Sequence, residues 1–130
     1  MLPFKSNLKS GTPIYEQVVL AIKKSIARGE LKAGDALPSV REFSRELQIN
    51  PNTAQKVITA LLNEKLIEIK PGIGSIVAPR PKQNAEKTDA ILGDKLSNIV
   101  VDAISFGISK KEFISAVDNH WKKVRSKEDS

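Results

Sequence analysis

The chain has 130 residues, no cysteine, one histidine, and 21 Lys plus Arg against 15 Asp plus Glu, a formal net charge of +6. That length excludes a (β/α)₈ barrel, which needs ~250 residues. The missing cysteines exclude a disulfide scaffold, cysteine-ligated zinc, an iron–sulfur site and thiol catalysis, and they suit a reducing compartment.

No stretch approaches the ~20 apolar residues of a membrane helix, and the first residues hold no apolar run like that of a secretory signal. A soluble, cytoplasmic protein is expected. Charge is unevenly placed: residues 1 to 80 hold 12 basic and 7 acidic side chains, residues 81 to 130 hold 9 and 8. An anionic partner is therefore expected to meet the first 80 residues.

In chain order, Thr12 to Gly29 predicts a first helix, with Thr12 as cap, Pro13 at the first helical position and Gly29 just past the end. Ile14, Val18, Ala21, Ile22 and Ile26 form its apolar stripe. A loop from Gly29 to Pro38 follows. Ser39 and Glu42 then have the spacing of a capping box that opens a short helix, from which Val40, Phe43 and Leu47 face inward. Gln48, Ile49 and Asn50 make a turn, with Asn50 capping the next helix and Pro51 at its first position. Over Pro51 to Glu64 the apolar face is Ala54, Val57, Ile58, Leu61 and Leu62. Asn52, Gln55, Lys56, Thr59 and Asn63 recur on the opposite face, and amides and a hydroxyl are groups that can read base edges.

Leu66–Lys70 and Ser75–Ala78 predict two short strands around Pro71-Gly72-Ile73-Gly74. Pro79 to Asn84 reads as a linker. Beyond it, Ile91, Leu92, Leu96, Ile99, Val100, Ala103, Ile104 and Phe106 predict a helix of roughly 20 residues ended by Gly107. Ser109 and Glu112 repeat the capping-box spacing and open a last helix with Phe113, Ile114, Val117, Trp121 and Val124 in its stripe; from Lys122 onward it is expected to fray. The fold class expected is mainly α with a small β-hairpin: a helix-turn-helix with a β-wing over 10–79, a linker over 80–84 and a two-helix tail over 85–126.

Two capped helices, a glycine-tipped wing and a basic surface suit major-groove DNA, whose ~12 Å width admits one helix. A small α/β domain with a merely solvated face is the competing reading of the pattern, and a winged-helix module that docks a protein partner without specific DNA binding is the alternative function. Pro13-Ile14-Tyr15-Glu16-Gln17, the Gly29–Gly34 loop, Leu37-Pro38-Ser39-Val40-Arg41-Glu42, Asn50-Pro51-Asn52-Thr53-Ala54 and Gly72-Ile73-Gly74-Ser75 together resemble the winged-helix domain of the GntR family of bacterial transcription regulators. The short tail looks like that of the YtrA subfamily, whose tail mediates dimerisation.

The resemblance implies DNA contacts from Arg41, with Ser39 near phosphate, and from Asn50, Asn52, Thr53, Gln55 and Lys56 on the recognition helix, with Gly72 and Gly74 marking the wing tip. Two departures stand out: many members carry Arg where this chain has Pro51 and Gln55, and an amide pairs more naturally with adenine than with guanine. Arg41 could instead pair with Glu42 or Glu46, and Asn50 is a cap in any case. Lys56 suits a phosphate, and Lys70 beside the wing does too unless it is a free surface lysine.

Three readings fit the tail stripes: a hairpin packed on the winged helix, a two-fold dimer interface, or an effector pocket. Dimerisation through Leu92, Leu96, Ile99, Ala103, Phe113, Val117 and Trp121 is favoured, since it would match a palindromic double-stranded DNA operator. Any effector is unknown, and a pocket in so short a tail would have to form between subunits. His120 lacks a second soft ligand, and Gly72-Ile73-Gly74 lacks the remaining residues of a phosphate-cradling loop. No enzyme activity, metal or cofactor is expected; a repressor is.

Overall fold

The computed structural model describes residues 2–4, 11–80 and 82–126. Ser10, Pro81 and the last four residues, which belong to the expected domain edge, linker and fraying tail, lie outside them. The elements are α1 (Ile14–Ala27), α2 (Val40–Leu47), α3 (Pro51–Asn63), β1 (Ile67–Lys70), β2 (Gly74–Val77), α4 (Ala85–Ser105) and α5 (Lys110–Ser126). They fall into two compact units, Met1–Arg80 and Pro81–Ser130.

In the first unit α3 is the central element and packs against both α1 and α2. Val18 and Ile22 of α1, Phe43 of α2, and Val57 and Leu61 of α3 are essentially sealed from water. Full burial of side chains of this size stabilises by about 1.5–3 kcal/mol each. The hairpin closes one side: β1 and β2 run antiparallel with Ile67 opposite Val77, both buried. Beyond the hairpin, the loop after α1 lies along the free edge of β2, where the Val77 amide donates to the Asp35 carbonyl at 2.9 Å and the Leu37 amide to the Ser75 carbonyl at 2.9 Å.

Two expectations for α1 need correcting. Pro13, not Thr12, holds the capping position, with no side-chain capping bond. The Thr12 carbonyl instead accepts from Gln17 Nε2 at 2.8 Å. The buried stripe is Val18, Val19, Ile22 and Ser25, while Ile14 is 42% exposed and Ala21 and Ile26 are half-buried. Ser25 can be buried because its hydroxyl donates to the Ala21 carbonyl at 3.1 Å, so no polar group is stranded.

In the second unit Asn84 caps α4 by accepting from the Lys87 amide at 2.9 Å. Gly107, at φ 76°, turns the chain, and the Ile108 amide reaches back to the Ala103 carbonyl at 2.9 Å. Ser109 and Glu112 form the expected capping box of α5, which stays helical through Ser126, past the expected onset of fraying at Lys122. α4 and α5 scarcely touch along their lengths, so their apolar stripes stand in the open.

Candidate nucleic-acid interface

Ser39 fixes the start of α2. Its hydroxyl accepts from the Glu42 amide at 3.2 Å while the Glu42 carboxylate accepts from the Ser39 amide at 3.0 Å. The hydrogen bond that the carboxylate accepts from the Ser39 amide, and to a lesser degree one from the Ser39 side chain, hold the Glu42 carboxyl below its ordinary pKa. With Glu42 engaged in the cap and Glu46 accepting from the Leu2 amide, Arg41 is left with no ion pair among the described residues. It is an exposed, planar fork of donors in the first turn of α2.

The turn into α3 uses Gln48 in the left-handed region, at φ 55°. Asn50 then caps α3 by accepting from the Asn52 amide at 2.8 Å, and Pro51 takes the first helical position, where no donor is lost. Ala54, Val57, Ile58 and Leu61 are buried beneath, which leaves Asn52, Gln55, Lys56, Thr59 and Asn63 on the outside. Thr53 is half-buried at the rim of that face. Gln55 Nε2 donates to Thr59 Oγ1 at 3.3 Å. The Lys56 ammonium lies 5.9 Å from the centroid of the Tyr15 ring, across a shallow groove of about 380 Å³ between α1 and α3. Sequence reasoning passed over Tyr15 as a partner, because only the crossing of α1 with α3 brings it to Lys56.

At the wing, the Ile73 amide donates to the Lys70 carbonyl at 3.0 Å and closes the turn. Gly72 (φ 78°) and Gly74 (φ 104°) occupy the left-handed region, where a side chain would be strained. Between them Ile73 is 69% exposed at the tip, a residue the expected site lacked although its two flanking glycines signalled it. Lys70 is not free: its ammonium lies 3.4 Å from the Glu68 carboxylate, an exposed pair worth ~0–1 kcal/mol that another anion can displace.

The expected dimerisation residues all lie in the second unit. Leu92, Leu96, Ile99, Val117 and Trp121 are exposed, Trp121 at 67%, and Phe113 is half-buried. Ala103 is the exception: it is already buried where the chain turns back at Gly107, and has little surface left to offer a partner. No group of His, Cys, Asp and Glu suited to a metal exists among the described residues, and no helix there is long and apolar enough to cross a membrane.

A capped helix pair, an open polar face on the second helix and a glycine-flanked wing form a winged helix-turn-helix, and known proteins share both sequence and fold. A family model for bacterial regulatory proteins of the gntR family matches residues 14–77. The HTH-type transcriptional repressor YtrA of Bacillus subtilis is 35% identical over 101 residues, covering 77% of this chain and 78% of that protein. The crystal structure of a transcriptional antiterminator from Listeria monocytogenes EGD-e superposes with a TM-score of 0.78 at 31% identity, over 94% of this chain and 92% of that one. YtrA from Sulfolobus acidocaldarius, a GntR-family transcription factor, superposes at 0.59 and 30% identity over 93% and 98%. The chain is therefore a DNA-binding transcription regulator, not an enzyme, and it belongs to the GntR family, where it resembles the short YtrA-type members.

Proposed function

We propose that this regulator is a repressor that binds a palindromic operator as a homodimer, each copy laying α3 in the major groove. The observation that carries this reading is the outer face of α3. Asn52, Gln55, Lys56, Thr59 and Asn63 stand exposed with no ion pair among the described residues, on a helix anchored from behind by four buried side chains. Arg41 and the start of α2 would take the flanking phosphates, since helix N-termini and guanidinium groups both favour anions. The wing, with Lys70, Gly72 and Gly74, would reach the neighbouring backbone or minor groove.

Two copies would meet through the tail. Its exposed Leu92, Leu96, Ile99, Val117 and Trp121 form the kind of apolar surface that a soluble monomer rarely leaves bare. A two-fold pair of such tails matches an inverted repeat. A small-molecule effector bound in the tail would have to be held between subunits, because the hollow beside Asp89, Gly93 and Ser97 is lined by α4 alone. In vitro selection of bound DNA from a random pool tests the proposal. It predicts an enriched inverted repeat with half-sites about 10 base pairs apart, centre to centre, or a multiple of that. Enrichment of a single unrepeated site would refute the dimer, and no enrichment at all would refute specific binding.

A further inference from the structure

The hydrogen bond on the outer face of α3 has no role in packing. Gln55 and Thr59 are one helical turn apart and both exposed, so the bond between them, at 3.3 Å, buries nothing and spans no elements. What it does is limit the freedom of a glutamine that would otherwise sample many rotamers, and ordering such a side chain opposes binding.

A carboxamide has two N–H donors and one carbonyl acceptor. With one N–H given to Thr59, the other N–H and Oε1 remain as an adjacent donor–acceptor edge. In the major groove adenine offers the complement, N7 as acceptor beside the N6 amine as donor. Guanine offers two acceptors, N7 and O6, so Oε1 would face an oxygen or nitrogen lone pair there. The neighbouring Lys56 ammonium lies over the Tyr15 ring, 5.9 Å from its centroid, and suits a phosphate rather than the base that Gln55 meets.

We infer that Gln55 reads an adenine in each half-site and that Thr59 is the positioning residue that holds its amide for that task. The inference rests on the proposal that α3 lies in the major groove.

The test is selection from a random DNA pool by the full-length chain in four forms: wild type, Gln55→Ala, Thr59→Val and Thr59→Ser. Wild type and Thr59→Ser enrich an adenine at one position per half-site. Gln55→Ala loses the preference at that position alone. Thr59→Val, which keeps the side chain's shape but not its hydroxyl, lowers that preference about ten-fold with the other positions and the thermal midpoint unchanged. An undiminished adenine preference in Thr59→Val overturns the role of Thr59. A guanine at the position that Gln55→Ala relaxes, or no position relaxed by Gln55→Ala, overturns the reading of adenine. Failure of the wild type to enrich any sequence overturns specific operator binding itself, a separate outcome from either.

Discussion

Lys56 and Arg41 carry charge to the same surface but in different ways. The contact of Lys56 with Tyr15 is at an exposed site and worth about 0.5–1 kcal/mol, weak enough for a phosphate to displace it. An ammonium satisfies any phosphate, so Lys56→Ala is expected to weaken binding to all sequences alike and to reduce the slope of log K against log salt by about 1, as read by titrations at several salt concentrations. The two capping glutamates set a pH dependence of stability. Hydrogen bonds from Ser39 hold the Glu42 carboxyl below its ordinary pKa, and those from Ser109 do the same for Glu112. A carboxyl whose folded pKa is depressed stabilises the fold above its unfolded pKa, about 4.3, and loses that contribution as the pH falls through the folded value. The thermal midpoint should therefore not vary with pH through these groups near neutrality, and should show an acid-side fall that Glu42→Gln makes shallower.

At the scale of elements, the caps decide where the recognition helix begins. Asn50 satisfies the Asn52 amide at the point where α2 hands over to α3. Asn50→Ala is expected to lower stability by about 1 kcal/mol in denaturant unfolding, and to weaken DNA binding as well if Asn50 also meets the operator. Such local signals made α2, α3 and the hairpin legible from sequence: Ser39 with Glu42, Asn50 with Pro51, and the glycines of the wing each act within a few residues. α1 was less legible because its limits are tertiary. Periodicity alone could not show that Val19 and Ser25 turn inward where α1 crosses α3, or that Thr12 gives its carbonyl to Gln17 in place of capping. For the candidate site, the outer face of α3 followed from spacing. The Gln55–Thr59 bond, the approach of Lys56 to Tyr15 and the Lys70–Glu68 pair did not, since each depends on which rotamer or neighbour wins.

For the whole molecule, the net charge separates into a basic winged helix and a nearly neutral tail with open apolar stripes. If the tails pair, Leu96→Glu places a charge in that interface. It is expected to shift the chain toward monomers in sedimentation velocity and to weaken operator binding more than it weakens binding to a half-site. Specific DNA recognition by the basic unit is the central claim, and a gel-shift titration of the wild-type chain on a selected operator and on its scrambled sequence, repeated over a range of salt, tests it most directly. The account predicts an affinity for the operator at least about 10³-fold above that for the scrambled duplex, with both affinities falling as salt rises. Equal affinity for the two duplexes, or binding indifferent to salt, would contradict it.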